Sequence, residues 1–293
     1  MSNRFFEKLA FWQTHSASGE LGVFVSESAI YVYQAAKNDA PEQAVTYEVS
    51  NGQWRDAFEA MKSQFGAAKL QIILSDGLYQ LLQADKPNVE PSEVNQALIW
   101  QIKDMVTEPV TNIHLDYFES PVTNNDKVNV VICSREFLVE LAVICDDLGF
   151  SVNGISIEEL ALRHLFKDDS MAHLLVMHLP EQELLLSVVK AGQLLMHRRI
   201  RGFNQLDTVK AEELGYGMAD NLSLEIQRSM DYFESQLRQP PVSSIKLLVG
   251  GEAARLTELV AANFNQTVQE VEHQGVANFV AKLAMHELVR GQA

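Results

Sequence analysis

Apolar and polar residues alternate over the first part of the chain and then take a helical spacing. Residues 21–34 alternate as two strands joined by a turn at 26–28, and residues 43–50 form a third strand. A helix is predicted over about 54–64 and a short apolar strand over 70–74. The order of these elements is therefore strand, strand, strand, helix, strand.

The same order of elements returns after residue 170. The pattern predicts three strands, a long helix and a further strand, over 173–179, 183–189, 193–200, about 218–238 and 245–249. The tail adds a helix, a strand and a last helix, over about 252–262, 267–271 and 275–289. A repeated order of elements at this spacing indicates an internal duplication.

A different pattern separates the two copies. It predicts a helix, two strands and a second helix, over 91–106, 112–119, 127–133 and 135–148. Ser134 precedes the second helix and is its predicted N-cap, because a serine hydroxyl can accept a hydrogen bond from a backbone N–H of the first turn. These elements form a small inserted α/β subdomain.

The chain is therefore predicted to have four parts. They are an N-terminal amphipathic segment, a first half, an inserted α/β subdomain and a second half, over residues 1–20, 21–88, 89–156 and 157–293. Residues 157–170 return the chain from the insertion to the second half.

The N-terminal segment places four apolar side chains on one side of a short helix, namely Phe5, Phe6, Leu9 and Trp12. One interpretation is a terminal helix that packs on the body of the protein. The other is a group of aromatic side chains that inserts at a membrane surface or into the groove of a partner.

Composition and charge exclude several classes of function. The chain has 293 residues, of which 47% are apolar and 21% charged, as in an ordinary globular protein of about two domains. Its formal net charge of −16 disfavours nucleic-acid binding and adhesion to anionic lipid, which both require clustered basic residues. No apolar run reaches the roughly 18 residues of a membrane span, and no signal peptide is recognised, so we expect a cytoplasmic protein.

Candidate catalytic and metal-binding residues are scarce. Cys133 and Cys145 have neither the spacing nor the number of a disulfide framework or a zinc site, and the eight histidines have no metal-ligand spacing. Acids that are neighbours in the sequence, such as Asp146 with Asp147, Glu158 with Glu159 and Asp168 with Asp169, are expected to be solvated rather than paired for acid/base chemistry. No catalytic residue and no metal are predicted.

Glycine occurs as a pair only in the sequence LLVGGEAARL, at Gly250 and Gly251. One interpretation is a strand-to-helix turn that needs backbone angles open to glycine. The other is a close approach of a ligand to the backbone of this turn. Neither a Walker loop nor a GxGxxG motif accompanies the pair.

Four stretches of the chain together resemble a known family. They are the hairpin LGVFVSESAIYVY, the strand and helices over 128–166, the helix NLSLEIQRSMDYFESQL and the turn LLVGGEAARL. The helix is the most specific of them, and its matching residues are Glu225, Gln227, Arg228 and Ser229. With the duplication and the insertion, these stretches resemble the superfamily of actin, the heat-shock chaperones and the sugar kinases.

Within this superfamily the chain resembles the PilM-like proteins of type IV pilus assembly, and among them the branch that serves the mannose-sensitive haemagglutinin (MSHA) pilus. The resemblance covers nearly the whole chain. It implies an α/β, actin-like fold of two ribonuclease H-like βββαβα domains with an inserted small α/β subdomain.

Both hairpin turns depart from the pattern of the superfamily. In the first, the usual Asp, Gly and basic residue are replaced by Phe24, Ser26 and Tyr31. In the second, the usual Asp and Gly are replaced by Met177 and Leu179. The acids would orient magnesium and the glycines would let phosphates approach backbone amides, so the resemblance implies a degenerate nucleotide site.

The remnant of this nucleotide cleft would consist of Ser26, Ser28, Gly250 and Gly251. No cofactor is expected, and ATP is the one candidate that the resemblance suggests. The chain is therefore predicted not to be an enzyme.

The resemblance implies a cytoplasmic scaffold that lies at the inner membrane. Its expected partner is a PilN-like single-span inner-membrane protein, whose cytoplasmic tail would bind near the inserted subdomain, against residues about 90–156. The assembly ATPase of the pilus machine is a second expected partner. Two alternatives stay open: an actin-like ATPase or kinase with an atypical nucleotide site, and the cytoplasmic domain of a GspL-like protein of type II secretion. The chain ends at Ala293 without the span that GspL-like proteins carry, which favours the pilus.

Overall fold

The structure is a computed structural model that describes residues 19–37, 41–122 and 126–290. The strands are β1 Gly19–Val25, β2 Ala29–Gln34, β3 Gln43–Glu48, β4 Ala68–Leu74, β5 Gln80–Asp85, β6 Ile113–Glu119, β7 Lys127–Ser134, β8 Ser151–Ile157, β9 Ala172–Met177, β10 Leu184–Lys190, β11 Gln193–Ile200, β12 Ser244–Leu248 and β13 Thr267–Glu270. The helices are α1 Trp54–Phe65, α2 Val94–Ile102, α3 Arg135–Asp147, α4 Glu158–Ala161, α5 Ala211–Glu213, α6 Ala219–Ser235, α7 Ala253–Ala261 and α8 Val276–Arg290. None of the helices within these ranges is long and apolar enough to cross a membrane. The amphipathic segment predicted over 1–20 lies outside the described residues, except that Gly19 and Glu20 begin β1.

The described residues divide into two compact units. The first contains those within 1–119, 125–161 and 280–293, and the second those within 120–124 and 162–279. The predicted second half, 157–293, therefore differs from the structure at its end, because the chain from Val280 onward belongs to the first unit.

The two units contain sheets of the same topology. The strand order is β3-β2-β1-β4-β8 in the first unit and β11-β10-β9-β12-β13 in the second. In each, three antiparallel strands are followed by parallel strands that the chain reaches through a helix. The internal duplication predicted from the order of elements is thus confirmed.

The central strands of these sheets are apolar because both of their faces are covered. Leu21, Val23 and Val25 of β1 are fully buried, as are Leu174 and Val176 of β9. Helix α1 covers the first sheet with Phe58 and Met61, which the helical spacing had predicted.

The inserted subdomain is a three-stranded antiparallel sheet in the order β5-β7-β6, covered by α2. Leu98 and Ile102 of α2 are fully buried against the sheet. The insertion therefore begins at β5, before the predicted boundary at residue 89, and it ends with β7.

The predicted end of the insertion at residue 156 is corrected by the sheet pairing. Helix α3 packs on α1, with the ring centroids of Trp54 and Phe137 5.5 Å apart, and β8 pairs in parallel with β4. Both elements therefore belong to the first sheet and its helices. The N-cap at Ser134 is confirmed, since its hydroxyl accepts from the backbone N–H of Phe137.

Candidate functional site

The first hairpin turn uses the polar groups of Ser26 to close itself. The Ser26 hydroxyl donates to the carbonyl of Ala29 at 3.0 Å and accepts from its N–H at 3.1 Å, and the Ser26 N–H donates to the same carbonyl at 2.9 Å. The carbonyl of Ser28, at the exposed tip, accepts from the N–H of Val49 at 2.7 Å. The backbone amide and hydroxyl of Ser26 are thus engaged in the turn that connects β1 and β2.

The residues that replace the acids of the superfamily are part of the core. Phe24 is 1% exposed, and its ring centroid lies 5.9 Å from that of Tyr31. In the second unit, Met177 and Leu179 are 1% and 4% exposed. These buried apolar side chains offer no oxygen ligand to a magnesium ion.

His178 follows β9 in the second hairpin and is fully buried. Its Nδ1 atom lies 3.9 Å from a carboxylate oxygen of Asp207. Burial lowers the pKa of His178, and the Asp207 carboxylate and the carbonyls of Asn204 and Phe203 oppose this shift. The imidazole is therefore a neutral core side chain at neutral pH.

The chain itself accounts for the second glycine of the pair. Gly251 has a φ of 68°, and a Cβ atom at this position would lie 2.3 Å from the carbonyl oxygen of Asp207. At Gly250 the nearest atom to a Cβ is the Cβ of Asp207, at an ordinary 3.5 Å. The geometry of the strand-to-helix turn thus explains the glycine at 251, and no ligand is needed to account for it.

Three of the helix residues that carried the family resemblance, Glu225, Arg228 and Ser229, form a polar network in the second unit. Glu225 accepts from Arg198 at 2.7 Å and from Arg228 at 2.5 Å. Arg198 also donates to the hydroxyl of Ser229 at 3.3 Å. The network fixes α6 to β11, and it has a structural role that needs no ligand.

A groove lies in the first unit where the inserted sheet meets the first turn of α3. Its volume is about 340 Å³, a size that suits a few side chains of a bound peptide or a small molecule. It is lined by Gly77, Leu78, Tyr79, Gln80, Val106, Thr107, Glu108, Ile113, Ile132, Cys133, Ser134 and Phe137.

Two buried carboxylates hold one wall of this groove. Glu159 is 1% exposed and accepts from the hydroxyl of Tyr79 at 2.5 Å, while Glu158 is fully buried and accepts from the backbone N–H of Asp76 at 2.5 Å. The prediction that this acidic pair is solvated is wrong. The reason is that segment 76–79 supplies hydrogen-bond donors to both carboxylates.

The lining contains one charged residue, Glu108. Its carboxylate accepts from the side-chain amide of Asn112 at 2.7 Å. Burial, with a smaller effect of Glu108, raises the pKa of Cys133 to about 12, so this thiol is a neutral part of the groove floor. Cys145 has the same pKa for the same main reason, burial in the core, and both cysteines are free.

The sequence anticipated only part of the groove. A binding region was predicted against residues about 90–156, and a groove is present there, but segment 77–80 forms one of its walls. Three segments far apart along the chain meet at the groove, so no local pattern marks it. Within the described ranges, no group of three or more His, Cys, Asp or Glu side chains could hold a metal.

Three solved structures are similar to the chain over most of its length. The first is described as the PilM–PilN type IV pilus biogenesis complex, with a TM-score of 0.63, 15% sequence identity, and coverage of 94% of this chain and 98% of that one. The second is the cytoplasmic domain of EpsL, an inner membrane component of the type II secretion system of Vibrio cholerae, with a TM-score of 0.55, 14% identity and coverage of 91% and 94%. The third is a Bacteroides thetaiotaomicron protein with an actin-like ATPase fold, with a TM-score of 0.52, 10% identity and coverage of 92% and 96%.

No protein-family model and no curated protein matches the chain. Likeness to structures at such low sequence identity establishes the fold. The chain has an actin-like α/β fold, as the family resemblance implied. The pilus machine, the partner and the absence of catalysis stay predictions.

Proposed function

We propose that this chain is a non-catalytic cytoplasmic scaffold of a type IV pilus assembly machine, of the MSHA type served by MshI proteins. It binds the short cytoplasmic tail of a single-span, PilN-like inner-membrane protein and is held at the membrane through that tail. The assembly ATPase of the machine is a further partner of the scaffold.

The observation that carries this proposal is the groove in the first unit. It has a peptide-sized volume and an apolar floor that includes Ile132 and Phe137. The likeness to a chain from the PilM–PilN complex supports a peptide of that kind as its occupant.

The buried hairpin residues support a scaffold rather than an enzyme. Phe24 and Met177 occupy the core at positions where actin-like enzymes place acids. The polar groups of Ser26 are engaged in their own turn, and the carbonyl of Asp207 fills the space beside Gly251. Of the four residues of the predicted nucleotide cleft, Ser26, Ser28 and Gly251 thus have structural roles, and Gly250 has no evident one.

The test is a binding titration with a fluorescent synthetic peptide that corresponds to the tail of the PilN-like protein from the same organism. Saturable binding with a Kd of about 10 μM or tighter is expected, because a Kd of 10 μM corresponds to about −7 kcal/mol and short apolar grooves reach such values. Thr107→Trp should weaken binding at least tenfold, since this exposed rim residue lines the groove.

The control is Thr267→Trp, which places the same side chain at an exposed position of β13 in the other unit. It should bind as the unchanged protein does. Absence of saturable binding up to about 100 μM peptide would overturn the proposal.

A second candidate is a component of type II secretion, which the likeness to the EpsL cytoplasmic domain favours. The same titration with the cytoplasmic tail of an inner-membrane secretion component separates the two. Tighter binding of that tail than of the pilus tail would favour a role in type II secretion over one in pilus assembly.

A further inference from the structure

The groove combines apolar walls with a single carboxylate. Its lining includes the apolar residues Leu78, Val106, Ile113, Ile132 and Phe137, and Glu108 is the only charged residue of the lining. A ligand that fills this groove therefore meets one anionic group at a defined place.

The Glu108 carboxylate is partly buried and is held in position. One of its oxygens accepts from Asn112 at 2.7 Å, and Glu108 has no cationic partner within the residues that the structure describes. A carboxylate that is held by a neutral amide can still accept a hydrogen bond from a cationic group of a ligand.

A second carboxylate lies near another part of the lining. A Cβ atom on Gly77, which lines the groove, would lie 3.2 Å from a carboxylate oxygen of Glu27. Glu27 is exposed at the tip of the first hairpin. One acidic group, Glu108, thus belongs to the lining and a second, Glu27, lies close to it, in a chain whose formal net charge is −16.

These charges suit one class of occupant. Cytoplasmic segments next to a membrane span are enriched in Lys and Arg, so the tail of a single-span inner-membrane protein is both tethered and basic. Such a tail would be attracted by the acidic surface, whereas an acidic peptide would be repelled.

We infer that Glu108 determines the specificity of the groove by pairing with a Lys or Arg of the bound tail, while a neighbouring apolar side chain of the tail packs against Ile132 and Phe137. This inference rests on the proposed function, since it names the chemistry of the same peptide. It adds to that function a specific residue, Glu108, and the requirement that the bound tail carries a positive charge.

The test compares two substitutions that remove one negative charge each from the same region. Glu108→Gln keeps an oxygen to accept from Asn112, and Glu90→Gln removes an exposed carboxylate outside the lining. With the synthetic tail peptide, Glu108→Gln should raise Kd about three- to tenfold, as expected for a partly buried, hydrogen-bonded charge pair, and Glu90→Gln should change it less than about twofold.

A second peptide completes the cycle. When each Lys and Arg of the tail is replaced in turn by Gln, one replacement should weaken binding to the unchanged protein and have little further effect in Glu108→Gln. Raising the salt concentration should weaken binding of the unchanged pair more than binding of the doubly substituted pair.

The outcomes separate this inference from the proposed function. Tight binding that Glu108→Gln leaves unchanged, or tight binding of a tail that has no basic residue, would overturn the role of Glu108 while the scaffold proposal stands. Failure of every tail to bind would overturn both. Occupation of the groove by residues 1–18 of this chain would also overturn the role of Glu108, and it would appear as tail binding only after deletion of those residues. Occupation by a second copy of the chain would overturn the same role, and it would appear as a dimer in sedimentation.

Discussion

At the scale of single residues, the two adjacent glycines of the turn after β12 have different physical roles. Gly251 combines a left-handed φ of 68° with a backbone carbonyl, that of Asp207, in the space of a side chain. Gly250 has neither constraint. The glycine pair, which in the sequence suggests a ligand-binding turn, therefore consists of one glycine that the fold requires and one that can be replaced.

Substitution of the two glycines should separate these roles. We expect Gly251→Ala to lower the free energy of unfolding of the second unit by about 2 to 4 kcal/mol, because it adds backbone strain and an overlap with Asp207. Gly250→Ala, the matched control, should change it by less than about 1 kcal/mol. Hydrogen exchange of the amides of β12 and α7 measures both values, and equal protection in the two variants would contradict this account.

At the scale of elements, Gly22 of β1 allows helix α8, late in the chain, to pack closely against this strand. A Cβ atom on Gly22 of β1 would lie 2.1 Å from the carbonyl oxygen of Ala281 and 3.2 Å from the Cβ of Ala284. Helix α8 thus approaches β1 more closely than any larger residue permits. This contact places the chain after Val280 in the first unit.

A methyl group at residue 22 should therefore displace α8. We expect Gly22→Ala to destabilise the first unit by about 1 to 3 kcal/mol, the usual cost of overpacking a rigid contact. The buried side chain of Trp54 reports the unfolding of this unit by fluorescence in a urea titration. Gly19→Ala in the same strand, where the nearest atom is 3.7 Å away, is the control and should keep its transition midpoint. A similar loss in both variants would mean that strand propensity, rather than the helix contact, is responsible.

At the scale of the whole molecule, the fold is that of actin-like proteins while the hairpin turns of both units lack the usual acids. Phe24 and Met177 stand in equivalent strands of the two sheets, β1 and β9, and both are buried. The proposed scaffold function is compatible with apolar residues at both positions, because a scaffold needs no acid to orient magnesium.

The scaffold interpretation predicts that a nucleotide does not stabilise the chain against thermal unfolding. About 1 mM ATP with magnesium should not raise the melting temperature of the chain, although a ligand at 100 times its Kd would add about 2.7 kcal/mol of stability. Differential scanning fluorimetry measures the shift. A clear shift that Gly250→Trp abolishes would favour the alternative of an ATPase or kinase with an atypical site.

The sequence by itself determined the duplicated order of elements, because buried strands and amphipathic helices impose local periods of two and 3.6 residues on apolar positions. It also determined the N-cap at Ser134, a local hydrogen bond. Strands β5 and β8 were not predicted from the sequence. Their identity depends on pairing with β7 and with β4, which are distant in the chain.

Only the tertiary structure decided what the polar residues do. Glu158 and Glu159 are buried because segment 76–79 brings them donors, and Gly251 is required because Asp207 approaches it. The groove exists because three separate segments meet around Glu108. Local patterns report which face of an element is covered, but a site depends on which distant atoms come within a few ångströms of one another, and that is fixed by packing.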